Sequence, residues 1–205
     1  MTWDEFSDST GLQTVTKRLF TALAALAALG ALLSACMIPN TYYDPIDPYA
    51  YGVRWYDRGR YDLAAQYWDP LVEKGDCDAE YHLGILYFLG QAKPKDNEKA
   101  LALWRKAANG NQPKAQGAMG DLYYQNDAVI LHHCKACGIE KDPVQAYVWY
   151  KLLEKSARYK GEKTYAANVL KSVTTEMSQD QLAKAEGILA QWKPTPQDCN
   201  ARKWW

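Results

Sequence analysis

The chain has 205 residues, of which 48% are hydrophobic and 23% charged, and its 24 Lys and Arg residues balance its 24 Asp and Glu residues. This size and composition predict one globular domain that is long enough to bury a core. The balanced charge, without any Lys- or Arg-rich run, argues against nucleic acid as a partner, because a phosphate backbone is usually met by a basic patch.

The N-terminal segment has the layout of a signal peptide. The basic pair Lys17-Arg18 precedes an uncharged run over residues 19–33 that ends in small residues. This run of about 15 residues is shorter than the roughly 20 that a membrane-spanning helix requires. Because acidic residues precede the basic pair, we also expect that translation begins near Val15.

The apolar run is followed by a short motif that carries a lipid-anchor signature. Residues 33–36 are Leu-Ser-Ala-Cys, which resembles the lipobox of bacterial lipoproteins. The resemblance implies that Cys36 is lipidated and begins the mature chain, and that Met37, standing where Asp would favour the inner membrane, directs the protein to the periplasmic face of the outer membrane. The alternative is an ordinary signal peptide in which Cys36 is incidental. Residues 37–49 are rich in Pro, Asn, Asp and Tyr and are interpreted as a tether.

The rest of the chain repeats itself at a fixed period. A shift of 36 positions aligns small, apolar and aromatic residues in two stretches, Ala64, Trp68 and Leu71 with Ala100, Trp104 and Ala107, and Ala79, Leu83, Gly84 and Tyr87 with Ala115, Met119, Gly120 and Tyr123. Such a period is typical of repeat arrays. Within the unit spanning residues 78–112, apolar residues at i, i+3, i+4 and i+7 spacing predict two amphipathic helices. One helix pair cannot cover its own apolar faces, so we expect the pairs to stack.

The second unit carries two spaced motifs, Ala79-x3-Leu83-Gly84-x2-Tyr87-x2-Gly90 and Asp96-x2-Lys99-Ala100-x3-Trp104-x2-Ala107-Ala108-x-Gly110. This pattern resembles the Sel1-like repeat, a relative of the tetratricopeptide repeat. The resemblance implies an all-α fold, a right-handed α-solenoid of antiparallel helix pairs, and the role of a scaffold or adaptor.

We divide this part of the chain into three repeats, over residues 50–76, 78–112 and 113–157, of which the first is the least regular. Asp142 and Pro143 are expected to cap and begin the last helix of the third repeat. Residues 158–193 are predicted to form a C-terminal helical cap with a helix start at Ser178, and residues 194–205 a tail.

The third repeat contains an insertion over about residues 126–138. The spacing from Ala64 to Ala100 is 36 residues, whereas the spacing from Ala100 to Ala146 is 46. The insertion holds the stretch from His132 to Gly138, which includes a Cys-x-x-Cys pair.

Besides a disulfide, three chemistries are known for such a pair. Haem attachment is excluded because Gly138 stands where the ligating His should follow. His132, His133, Cys134 and Cys137 are candidate ligands of a zinc ion, although the first three are consecutive and cannot all bind the metal comfortably. A redox-active pair lacks the βαβ pattern that surrounds thioredoxin-like motifs.

The oxidising compartment that the signal peptide implies favours a disulfide. It would join Cys134 to Cys137, or either of them to Cys77 or Cys199. With Cys36 taken by lipid, three pairings of the four remaining cysteines stay open.

No nucleophile and base pair, phosphate loop or catalytic carboxylate pair emerges, so we predict no enzyme activity, no catalytic residue and no cofactor. His82 is expected to be partly exposed, Tyr87, Trp104 and Trp149 to be core residues, and the charged side chains to form a solvated face. The leading hypothesis is a membrane-anchored, non-enzymatic scaffold that binds a protein or peptide. The alternative is a metal-binding or thiol-redox lipoprotein that uses the insertion.

Overall fold

The chain folds into α-helices throughout the part that its computed structural model describes, which comprises residues 47–125, 137–195 and Cys199. These residues form eight helices and no strand. The helices are α1 (Pro48–Asp57), α2 (Tyr61–Glu73), α3 (Cys77–Leu89), α4 (Asn97–Asn109), α5 (Pro113–Tyr124), α6 (Pro143–Ser156), α7 (Lys160–Glu176) and α8 (Gln179–Gln191). The first helix begins at Pro48, so the last two residues assigned to the tether are helical.

The helix starts follow from local hydrogen bonding. Side chains accept hydrogen bonds from the first backbone N–H groups of six helices, at Asp47, Asp76, Asp96, Gln112, Asp142 and Ser178. Each bond satisfies a donor that would otherwise have no partner within the helix. Asp142 and Ser178 cap α6 and α8 at the positions that the sequence predicts.

The helices pack as successive pairs. The closest packing joins α1 with α2, α3 with α4, and α5 with α6, and the pairs contact one another through α2 with α3 and α4 with α5. The last two helices do not form such a pair, because α7 and α8 each pack mainly on α6. The hydroxyl of Tyr147 on α6 donates to a carboxylate oxygen of Glu186 on α8 at 2.6 Å, which holds α8 in place.

The same backbone hydrogen bond closes the turn inside every pair. It runs from Arg60 N to Trp55 O at 2.9 Å, from Asp96 N to Tyr87 O at 3.0 Å and from Asp142 N to Tyr123 O at 2.9 Å. The first turn is four residues shorter than the second, so a 36-residue shift aligns the second helix of the first repeat but misaligns its first helix by four residues. The third turn is ten residues longer than the second, and it still returns to the equivalent carbonyl.

The turns between pairs also repeat. Asp76 N donates to Leu71 O and Gln112 N donates to Ala107 O, both at 3.0 Å. The residue before each of these donors has a left-handed backbone, with φ of 79° at Gly75 and 71° at Asn111. Glycine and asparagine tolerate this conformation best.

A disulfide ties the end of the described chain back to the second repeat. Cys77, at the start of α3, is bonded to Cys199 across a sequence separation of 122 residues, with a Cα to Cα distance of 5.4 Å. Thr195 N donates to Asn109 O at 2.9 Å, and Cys199 N donates to Gly110 O at 3.2 Å. Thr195 and Cys199 therefore lie beside the turn between α4 and α5.

Candidate binding surface

A glycine and an aromatic ring meet at the centre of each helix pair. A Cβ atom added to Gly52 would lie 2.1 Å from Trp68 Nε1, and one added to Gly84 would lie 2.5 Å from Trp104 Nε1. Both indoles donate to the carbonyl three residues before the glycine, Tyr49 O at 3.3 Å and Tyr81 O at 3.0 Å. Each tryptophan therefore holds the two helices of its pair together, and we call this glycine–aromatic contact a joint.

The sequence also predicts that three aromatic residues belong to the core. Trp104 and Trp149 are buried, and Tyr87 is partly buried against both core clusters. None of the three is offered as a ligand contact.

The third pair departs from this joint. Tyr150 takes the place of the tryptophan, and its ring lies 2.9 Å from the Cβ position of Gly120. Its hydroxyl donates to Asp121 Oδ1 at 2.5 Å. The hydroxyl of Tyr165 on α7 donates to the same oxygen. One carboxylate oxygen thus joins α5, α6 and α7.

Burial sets the protonation chemistry of this cluster. Asp121 is 7% exposed, and its burial raises the pKa of the carboxyl group while the two tyrosine hydroxyls act in the opposite direction. The pKa of Tyr150 is also raised, first by burial and then by the charge of Asp121. In both groups the largest cause is burial, because water cannot solvate the charged form of a buried side chain.

The negative charge reaches a neighbouring tyrosine. The pKa of Tyr81 on α3 is raised to about 12, first by burial and then by the charges of Tyr56, Asp121 and Glu162. The hydroxyl of Tyr81 therefore lies within the electrostatic range of carboxylates on α5 and α7.

The same region carries the most exposed aromatic side chains. Across the residues that the structure describes, the exposed large hydrophobic side chains are Tyr159 at 67% and Tyr165 at 38%, at the N-cap and in the second turn of α7. We call the surface formed by Tyr81, Asp121, Tyr159, Glu162 and Tyr165 the tyrosine face. Tyr159 and Tyr165 expose aromatic surface to a ligand, whereas Asp121 is buried and contacted by the hydroxyl of Tyr165.

Sequence reasoning missed the tyrosine face, although one signal for it was present. A shift of 36 positions places Asp121 on Ile85, which packs against the core. A charged residue at an apolar repeat position indicates a buried polar contact, because such a group must find partners.

His82 was expected to be partly exposed, and that expectation was wrong. The residue is 8% exposed, and its ring centroid lies 4.9 Å from Trp68 and 5.4 Å from Tyr49. Its Nδ1 lies 2.9 Å from the backbone oxygen of Asp78. Burial lowers the pKa of the imidazole below 6.5. His82 faces the core because α3 is covered by helices on both sides.

The solvated face is also less complete than predicted. Glu80 is 0% exposed, and its Oε1 lies 2.5 Å from Nζ of Lys106, which is partly exposed. Glu80 occupies the repeat position of Gln116 in the next unit, whose side chain donates to Ala108 O at 3.2 Å. This position of the repeat is a buried polar one.

Most candidate residues of the insertion, His132, His133 and Cys134, lie outside the described residues. Cys137 is described and is disulfide-bonded. Within the part of the chain that is described, no three His, Cys, Asp or Glu side chains are grouped so that they could hold a metal ion. The metal-binding or thiol-redox function of the insertion stays a prediction. Stoichiometric Zn²⁺ in the purified protein, with Cys134 and Cys137 not joined in a disulfide, would favour metal binding.

The proposed lipidation site Cys36 likewise lies outside the described residues. Among the helices that are described, none is both long and apolar enough to span a membrane.

Comparison with solved structures identifies the fold. A protective antigen present in uropathogenic Escherichia coli strains, which displays an SLR fold, is similar with a TM-score of 0.59 and 21% sequence identity over 78% of this chain. SLR stands for Sel1-like repeat. This likeness, together with the all-helical structure, confirms the predicted all-α repeat fold. The match covers 32% of the antigen chain, so this protein spans about a third of the antigen's length.

A Sel1 repeat protein from Oxalobacter formigenes is also similar, at 20% identity over 88% of this chain and 95% of that protein, with a TM-score of 0.36. No family model matches the sequence, and no curated protein matches it.

Proposed function

We propose that this protein is a non-enzymatic scaffold that binds a partner protein or peptide through the tyrosine face. The observation that carries the proposal is the exposure of Tyr159 and Tyr165 on α7. Tyrosine is enriched at protein interfaces because it offers a large, rigid contact area with one polar group.

The use of the polar side chains elsewhere supports a binding role. Asp76, Asp96 and Asp142 accept hydrogen bonds at helix starts, and the buried Glu80 is paired with the partly exposed Lys106. These groups stabilise the repeat stack, whereas Tyr159 is 67% exposed at the start of α7.

We further propose that lipid on Cys36 holds the protein at the periplasmic face of the outer membrane. The motif at residues 33–36 supports this location. The disulfide between Cys77 and Cys199 also supports it, because disulfides persist in oxidising compartments such as the periplasm.

Site-directed photo-crosslinking in intact cell envelopes tests the scaffold proposal. A photoreactive phenylalanine analogue at Tyr159 should capture a specific protein, whereas the same analogue at Gln66, an exposed position on α2, should not. Capture of the same proteins from both positions, or of none from Tyr159, would contradict the proposal.

The anchor is tested separately by Cys36→Ser. We expect the variant to lose the mass of the attached lipid and to leave the membrane fraction after cell lysis. A variant that stays in the membrane fraction with unchanged mass would show that Cys36 is not the anchor.

A further inference from the structure

We propose that α1 docks on the membrane surface, with a groove on its exposed side holding a phospholipid headgroup that carries a phosphate and a primary ammonium group. In this arrangement the phosphate lies between Arg54 and Arg58, and the ammonium group lies against Asp57. The inference rests on the proposed anchor at Cys36 and gives the protein a second contact with the same membrane.

The first argument is the groove itself. It has a volume of about 450 Å³ and is lined by Ala50, Val53, Arg54, Asp57 and Arg58, all of which except the partly buried valine are exposed. This volume is within the range of small-ligand sites. Two cations and one carboxylate beside apolar side chains complement a headgroup that carries one negative and one positive charge.

The second argument is that these charged groups are available. None of the ion pairs formed by the described residues includes Arg54, Asp57 or Arg58. Because the two arginines are four residues apart, they lie on the same side of the helix.

The third argument is the way in which the two guanidinium groups are held. Arg54 lies over the ring of Tyr51, 5.2 Å from its centroid, and Arg58 lies over the ring of Trp55 at 5.8 Å. A guanidinium over a ring is attracted through its face, so the N–H groups at its edge stay available. Arg58 donates one of them to the backbone oxygen of Arg54 at 3.1 Å. The other donors suit a phosphate, which guanidinium groups bind in a bidentate manner.

The fourth argument is the length of chain between the anchor and α1. Cys36 stands eleven residues before Asp47, the N-cap of α1, so the chain between them spans at most about 40 Å. A lipid on Cys36 therefore keeps the groove at a high effective concentration of headgroups. Under this condition a weak contact is sufficient, and two signals together give more stable membrane binding than one.

Photo-crosslinking in vesicles tests this inference. The mature lipoprotein, with a small diazirine amino acid in place of Ala50, is reconstituted into vesicles of equimolar phosphatidylethanolamine and phosphatidylcholine. Mass spectrometry should show a phosphatidylethanolamine adduct, in excess over phosphatidylcholine by about fivefold or more, because only the primary ammonium can donate a charge-assisted hydrogen bond to Asp57. The matched control places the same analogue at Ala183, an exposed alanine on α8, and should give little adduct.

Substitutions locate the effect. The double variant Arg54→Gln, Arg58→Gln should lower the lipid adduct at Ala50 by about fivefold or more, and Asp57→Asn should remove the preference for phosphatidylethanolamine. Arg105→Gln, which removes an exposed arginine on α4, should change neither quantity. Circular dichroism confirms that each variant is folded.

Three outcomes would overturn the inference. They are equal lipid adducts from Ala50 and Ala183, an unchanged adduct in the folded double arginine variant, and an unchanged lipid preference in Asp57→Asn. Capture of a protein instead of a phospholipid from Ala50 in intact envelopes would also overturn it, because the groove would then be a protein-binding site.

Intact mass separates this inference from the proposed anchor. A protein that carries lipid on Cys36 but gives no adduct at Ala50 leaves the anchor standing and overturns the docking of α1 alone. A protein without lipid on Cys36 overturns the anchor and this inference together.

Discussion

Two changed repeat positions, Tyr150 and Asp121, alter the joint of the third repeat. Trp68 and Trp104 donate to backbone carbonyls of the preceding helix, whereas Tyr150 donates to the side chain of Asp121. The tryptophan joints are complete within one helix pair. The tyrosine joint brings in Tyr165 from α7, so it couples the repeat stack to the helix that carries the exposed tyrosines.

The glycines at the joints predict a steric penalty. Gly84→Ala places a Cβ atom 2.5 Å from Trp104 Nε1, so the indole must shift, and we expect the free energy of unfolding to fall by about 1–3 kcal/mol. Urea denaturation measures the loss. Gly187→Ala on α8 is the matched control, because its Cβ would meet nothing within 4 Å and alanine should stabilise the helix by about 0.5–1 kcal/mol. Equal effects of the two substitutions would contradict the joint.

His82 predicts a pH dependence of stability. Burial lowers its pKa in the folded state below 6.5, so the unfolded chain binds the proton more readily. The stabilisation is complete above pH 6.5 and is lost as the pH falls through the folded pKa, at about 1.4 kcal/mol for each unit between the two values.

The measurement compares thermal midpoints of the wild type and His82→Gln between pH 7 and 5. The midpoint of the wild type should fall more steeply with decreasing pH, because Gln does not titrate. The same slope in both proteins would show that His82 does not contribute.

At the scale of whole helices, the N-caps stabilise the starts of the helices. Asp142 accepts hydrogen bonds from Val144 N at 2.9 Å and Gln145 N at 3.1 Å, so Asp142→Ala should cost about 1 kcal/mol of unfolding free energy. Arg60 stands at the equivalent position of α2 and makes no capping hydrogen bond with its side chain. We therefore expect Arg60→Ala to change stability by less than about 0.5 kcal/mol in the same denaturation assay, and an equal loss in both variants would argue against capping.

The turn between α5 and α6 is a further element-scale test. Because Asp142 N reaches Tyr123 O as Asp96 N reaches Tyr87 O, residues 88–95 should replace residues 124–141 without disturbing the helix pair. Shortening the loop from eighteen to eight residues lowers its closure cost by about 0.7 kcal/mol, while the contacts of Tyr124 and Lys141 with Glu176 are lost. We expect circular dichroism to show that the helical signal is retained after the exchange. A collapse of this signal would contradict the equivalence of the two turns.

At the scale of the whole molecule, the Cys77–Cys199 disulfide links the second repeat to the tail after α8. It closes a loop over a sequence separation of 122 residues, and such a constraint on the unfolded chain contributes about 2–5 kcal/mol. The double variant Cys77→Ser, Cys199→Ser should lose stability of that size in thermal or denaturant unfolding. An unchanged midpoint would mean that Thr195 and the neighbouring backbone contacts hold the tail without the covalent bond.

The sequence alone determined the helical repeat. The 36-residue spacing of Ala64 and Ala100, and of Gly84 and Gly120, follows from packing constraints that recur in every pair, so it is visible without coordinates. The caps at Asp142 and Ser178 were predictable for a related reason, because a helix start is stabilised by residues close to it in the chain.

Tertiary structure decided which residues come together across repeats. Asp121 and Tyr165 are 44 residues apart, and Cys77 is paired with Cys199 rather than with a cysteine of the insertion. The repeat period contains no information on such contacts, because α7 and α8 leave the pairing pattern and pack on α6 individually. His82 was misjudged for the same reason, since the face of α3 that is buried depends on the helices packed against both of its sides.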